Sequence, residues 1–284
     1  ISYMNTGYRG APLDDTYIHL KFADNFSQGY FFQYNRDEPT AGSTSPLWVV
    51  LIGISGILNK GLLFNSIFFS WLFYILSAII IYKITFYITK ERNNFLPLFS
   101  SLLFLFTGRV AFISSSGMET SLFIFLLLTV IYIDLLNRES LHYIKWVLCG
   151  LLVNTRPEGF LLAFLLFAKD IFRFLSKKIS LQYFQKTLIA LIIFLVLAAP
   201  YIIFSFYTNG SPFPNTFKGV NKLYTENQSL DFLKKISVFF SRDNIFLLFL
   251  AVSVIFLLFI RSYREKRFGP VLILFLFFLI YLLF

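Results

Sequence analysis

Polar and apolar positions alternate along this chain in long blocks. Residues 13–46 form one polar stretch holding Asp14, Asp15, Asp24, Asp37 and Glu38, five of the fifteen acids. Behind it come apolar segments at 47–58, 62–88, 95–107, 118–136, 143–154, 160–175, 187–207, 245–260 and 269–284. A straight membrane span takes roughly 20 residues. Segments 62–88, 118–136 and 187–207 reach that length, 160–175 borders on it, and 95–107 and 143–154 fall short. Each short run is followed by a polar turn, which at membrane depth needs protein or a wet cavity around it. The pattern predicts helices throughout.

Composition turns that pattern into a class. Apolar residues make up 57% of the chain and charged residues 14%, with 39 Phe among 284 residues. Soluble domains carry roughly 25% charge, so the expectation is an all-α polytopic membrane protein. The net charge of +10 does not call for nucleic acid. The basic residues sit between apolar segments, where they set topology and attract anionic lipid. The single cysteine, Cys149, lies in an apolar run and can form no internal disulfide, which makes it a structural thiol. The chain starts at Ile1 and its last apolar run reaches Phe284. That suggests a fragment lacking a first membrane helix and a C-terminal part.

Lys and Arg set the orientation. With 169–186 and 261–268 placed on the cytoplasmic side, alternation puts 137–142 and 89–94 inside, and 108–117, 155–159 and 208–244 outside. The run 47–58 is 12 residues with two glycines. It is read as a juxtamembrane or re-entrant helix, leaving 1–61 external and about eight spans in 62–284. The internal loops then hold 12 Lys/Arg in 38 residues and the external ones 11 in 113. In the external loop 208–244, residues 229–240 have the spacing of an amphipathic helix lying along the interface.

This topology gathers chemistry on the outer face. Asp14 and Asp15 are candidates for a general base or for ligands to a divalent cation. Two adjacent carboxylates in a partly desolvated site raise one pKa. Asp14 is equally suited to cap a helix starting at Thr16, with Asp15 in its first turn. In EPTAGSTSPL (38–47), Ser45 and Pro46 suit a helix start, while Glu38, Thr40 and Ser43 suit polyol recognition. Glu119 stands at the start of a span, as a capping acid or as a functional one. In NTRPEGF (154–160), Arg156 and Glu158 form either a structural pair or a phosphate contact. Asn215 and Lys218 follow two prolines in GSPFPNTFK (210–218), where Lys218 can meet a lipid phosphate or simply headgroups. Arg109 belongs to the same face. His19 and His142 have no ligand spacing, so zinc is not expected, and no glycine-rich phosphate loop is present.

An acid pair, then YIHLKFADNFSQGYFFQYN, then EPTAGSTSPLW, resembles the polytopic type-C glycosyltransferases of bacteria, of the arabinofuranosyltransferase and mannosyltransferase kind. GMET (117–120), RPEG (156–159) and PNTFK (214–218) follow in the family's order, so the likeness covers about 13–218. Lys21 stands where Arg is commoner. The resemblance implies transfer of a sugar from a polyprenyl-phosphate donor to a glycan, lipid or protein acceptor. The site would open on the external or periplasmic face of the bacterial inner membrane. It implies Asp15 or Asp14 as the base and inversion at the anomeric carbon. Arg156, with Lys218 or a divalent ion (Mg or Mn), would stabilise the leaving phosphate, and Glu38, Thr40, Ser43, Glu119, Glu158 and Asn215 would bind substrate. A transporter or lipid flippase, or a non-catalytic relative that binds a glycolipid, is the competing class.

Overall fold

The computed structural model describes residues 10–89 and 94–212, and within them the chain is helical with one isolated β-bridge. The helices are α1 (Asp14–Ser27), α2 (Pro46–Leu58), α3 (Leu62–Thr89), α4 (Phe95–Leu105), α5 (Gly108–Ser115), α6 (Thr120–Leu136), α7 (His142–Val153), α8 (Gly159–Leu175) and α9 (Leu181–Asn209). The expected spans 245–260 and 269–284 and the amphipathic segment 229–240 lie outside the described residues.

Two helices, α3 and α9, are long and apolar enough to cross a membrane, and α4 with α5 makes a third if the pair counts as one span. At 1.5 Å per residue the 28 residues of α3 reach about 42 Å, more than a bilayer core of about 30 Å. Both helices turn large apolar side chains outward. Trp71, Ile75 and Ile79 form one stripe on α3, and Ile192, Val196 and Ile203 line α9. Such stripes on a water-soluble chain would be a liability; against lipid they are the solvent-matched surface. The helix α6 is apolar but, at 17 residues, shorter than its segment suggested.

Three local expectations change. Residues 108–117, read as a loop, contain the helix α5, bent 55° from α4. GRVAFISS hides this, because its glycine and Arg109 read as a turn. The first helix begins at Asp14, not Thr16; Leu13 is its N-cap and no side chain caps it. Both aspartates therefore sit in the first turn, where the helix dipole favours them. Ser45 does stand at the N-cap of α2 with Pro46 behind it, but its hydroxyl makes no cap bond.

The core lies where α2, α6, α7, α8 and α9 meet, around Trp48, Val130, Trp146, Leu152, Leu162 and Phe194. The α7–α8 hairpin closes tightly. A Cβ added at Gly159 would stand 2.9 Å from the Val153 backbone nitrogen and 3.0 Å from the Leu152 carbonyl carbon. Backbone cannot step aside as a side-chain tip can. Gly159→Ala is expected to cost about 1–3 kcal/mol, read as a lower melting temperature in detergent; an unchanged melting temperature would show that the hairpin has slack.

Candidate functional site

Two polar clusters occupy opposite ends of the α6–α7–α8 unit. One is built on the turns before α6 and α8. Glu119, at the N-terminal edge of α6, is 2% exposed. Its Oε1 lies 3.3 Å from Arg156 Nη1, and its Oε2 lies 3.3 Å from His19 Nε2. The His19 contact is electrostatic rather than a well-aligned hydrogen bond. Arg156 also donates to Glu158, with Nη2 to Oε1 at 2.9 Å, and its guanidinium lies over the Phe123 ring. Burial pushes the Glu119 carboxyl up, but His19 and Arg156 outweigh it and hold the group below the usual carboxylate range. Glu119 is thus a buried anion shared by two partners.

Four segments hold this cluster in place. On α1 the buried face is Thr16, His19, Phe22 and Ala23, at helical spacing. Thr16 donates to the Ser116 carbonyl at 2.9 Å, fixing α1 on the turn before α6. His19 Nδ1 is 3.2 Å from the Ser43 hydroxyl, which also accepts from the Ser45 amide. The neutral ring that fits has Nδ1 accepting from Ser43 and the Nε2 proton facing Glu119. The 41–47 segment is pinned from the other side. Tyr201 of α9 donates to the Ser43 carbonyl, Asn209 to the Ala41 carbonyl, and the Leu47 amide to the Asn154 carbonyl. Behind it lies a largely apolar cavity of about 370 Å³, lined by Thr44, Pro46, Asn154, Pro157, Phe160 and Tyr201 among others.

Of the residues singled out in the sequence, Ser43, Glu119, Arg156 and Glu158 come together. Asp14 and Asp15 are exposed on the first turn of α1, and among the described residues neither has an ion-pair partner. Arg156 answers to Glu119 and Glu158 instead. Asp15 is one turn from His19, and residues four apart share a helix face; Asp14 has Ile18 in that position. Glu38 is exposed and accepts from Asn35 at 3.0 Å, and Thr40 is half-buried, its amide bonded to the Phe32 carbonyl. Neither contacts the cluster through any polar bond among the described residues. Asn215 and Lys218 lie outside the described residues. No group of three or more His, Cys, Asp or Glu residues among those described is placed to hold a metal ion. A magnesium-like ion usually takes one or two carboxylates, with waters and substrate phosphates completing its shell, a set that Asp14 and Asp15 alone do not complete.

The second cluster escaped the sequence reading. Asp134 of α6, Lys145 of α7 and Asp170 of α8 are all buried. Asp134 pairs with Lys169 and, at 3.1 Å, with Lys145; Asp170 faces Lys145 at 3.8 Å and Arg173 at 3.9 Å. Among the described residues, neither Asp170 oxygen has a hydrogen-bond donor. Asp134 lies 14 residues beyond Thr120 on α6, about 20 Å from the first cluster.

Among the described residues, fold and site define an all-α architecture with two or three helices long and apolar enough to cross a membrane, and a His–Glu–Arg cluster around the buried Glu119 beside an apolar cavity. The chain matches no protein-family model, no curated protein and no solved structure.

Proposed function

We propose that the chain is a membrane glycosyltransferase with the type-C helix-bundle architecture. It would move a sugar from a polyprenyl-phosphate donor to an acceptor hydroxyl on the outer face, with inversion. The motif order from Asp14 to Lys218 supports the class. The observation that carries the site is the turn that holds Arg156: its chain neighbours Asn154 and Pro157 line the cavity of about 370 Å³, while Arg156 itself pairs with Glu119 and Glu158. An isoprenoid tail suits an apolar cavity of that size, and a partly exposed guanidinium suits a phosphate. As the lipid phosphate leaves, negative charge grows on it, and a positioned arginine stabilises that charge. Glu158, its side chain 26% exposed, is the partner the phosphate would displace; Glu119, its side chain 3% exposed, would stay.

Asp15 is the better general base of the two aspartates, because it shares a helix face with His19 and so with the Glu119–Arg156 pair. Its carboxylate would take the acceptor's proton as the oxygen attacks the anomeric carbon. Asp15→Asn is expected to lower sugar transfer in membranes by about 10²–10⁴-fold, with Asp14→Asn retaining most of it and both proteins present at normal abundance. Full activity in both variants would remove the base from α1.

A transporter or lipid flippase is the second reading, favoured by the buried Asp134–Lys145–Asp170 group. Ionisable side chains inside a membrane bundle mark transport paths by default. Reconstituted vesicles separate the two: movement of a lipid-linked sugar without a covalent product means transport.

A further inference from the structure

His19 has no part in the reaction outlined so far, yet it is buried and engaged at both ring nitrogens. On its own helix the exposed Asp15 stands one turn earlier. From the 41–47 segment it meets Ser43 at 3.2 Å, and from the turn before α6 it meets Glu119 at 3.3 Å. Behind Glu119, at 3.3 Å, stands Arg156 from the α7–α8 turn. No other charged group of those elements contacts the ring among the described residues.

Glu119 carries one negative charge and has two claimants. When His19 is neutral, Arg156 must balance that charge alone. When His19 carries a proton, the imidazolium takes a share of it. The attraction between Glu119 and Arg156 is then offset by a like charge close by, and the guanidinium has more of its field to offer elsewhere. His19 and Glu119 are both buried, so the redistribution between them is screened less than it would be in water.

We propose that His19 is a positioning residue for the donor phosphate: it shares Glu119 with Arg156 and thereby meters how much of the guanidinium's charge an incoming phosphodiester can use. This rests on Arg156 being the donor-phosphate contact. The metering is read as a dependence of donor binding on the protonation of this ring, separate from the chemical step.

The probe is methyl farnesyl phosphate, a diester whose single charge does not titrate near neutral pH, bound to the full chain in nanodiscs. The wild-type protein is expected to bind it about 5-fold more tightly near pH 5.5 than near pH 8, the size of a modest electrostatic coupling. His19→Gln keeps an uncharged donor of similar reach, and Glu119→Gln removes the shared charge without touching the ring. Each is expected to bind with no pH dependence, so either variant alone suffices should the other fail to fold. An unaltered pH dependence in a folded variant overturns the role of His19 while leaving Arg156 as the phosphate contact. Equal binding by wild type and Arg156→Ala, or no binding by wild type at any pH, overturns the donor site and the metering together.

Discussion

Asp134→Ala is expected to destabilise the protein by about 3–5 kcal/mol, the usual cost of stripping one partner from a buried charge group. Asp134 is 7% exposed and is the anion that Lys169 and Lys145 both address. Without it, Lys145 still has Asp170 at 3.8 Å, but Lys169 keeps no carboxylate among these contacts. The ammonium must then stay charged in an apolar setting, lose its proton, or pull the end of α8 toward water. Each route loosens the packing of α6, α7 and α8. The measurement is the melting temperature of purified protein in detergent. A second variant identifies the cause. Adding Lys169→Met removes the orphaned ammonium at similar volume, while Lys145, Asp170 and Arg173 keep the net charge that the whole cluster had. Most of the loss should then be recovered. If the double variant is no more stable than Asp134→Ala, the penalty comes from lost shape and not from an unpaired charge.

The same cluster illustrates what a linear reading can and cannot see. The apolar runs announced α2, α3, α6, α7, α8 and α9, because a continuous greasy stretch bounded by polar turns has few other solutions in lipid. Lys145 and Asp134 were each visible as one charge inside such a run. Nothing in the spacing tells that they meet, since the partners are on different helices and the pairing is set by how α6, α7 and α8 pack. The site divides in the same way. Glu119, Arg156 and Glu158 stood out as charges beside special turns, and they do come together. Ser43 stood out for its hydroxyl, and it lies against His19. His19 has no metal-ligand spacing to His142 or Cys149, so the spacing of ligand-type residues does not mark it. A usable signal is present: Thr16, His19 and Ala23 share one buried face of α1, and a histidine on a buried face needs a polar partner. Asp14 and Asp15 show the converse. An acid pair in a greasy chain suggested a partly desolvated site against a basic pocket, but the first turn of α1 stands in the open, and Arg156 is claimed by Glu119 and Glu158.

Arg156→Ala is the substitution expected to affect sugar transfer most, by about 10²–10³-fold or more, and it should also reduce the amount of folded protein. The two losses have different origins. Transfer falls because the leaving phosphate loses its cation. Folding suffers because Glu119, 2% exposed, loses its main countercharge and is left as a buried anion with His19 as its remaining ion-pair contact among the described residues. Arg156 is itself 31% exposed, so solvent screens part of that second loss, which should amount to about 1–3 kcal/mol. The two effects come apart in Arg156→Ala combined with Glu119→Gln. The double variant has no orphaned carboxylate, and the glutamine amide can still face His19. Its melting temperature should return toward that of the native protein while transfer stays as low as in the single variant. Arg156→Lys supplies the matching control. It keeps the positive charge but not the planar fork that reaches Glu119 and Glu158 at once, so it should fold well and transfer poorly. Recovery of transfer in the double variant would mean that Arg156 serves only to neutralise Glu119, and the phosphate contact would then have to come from another cation.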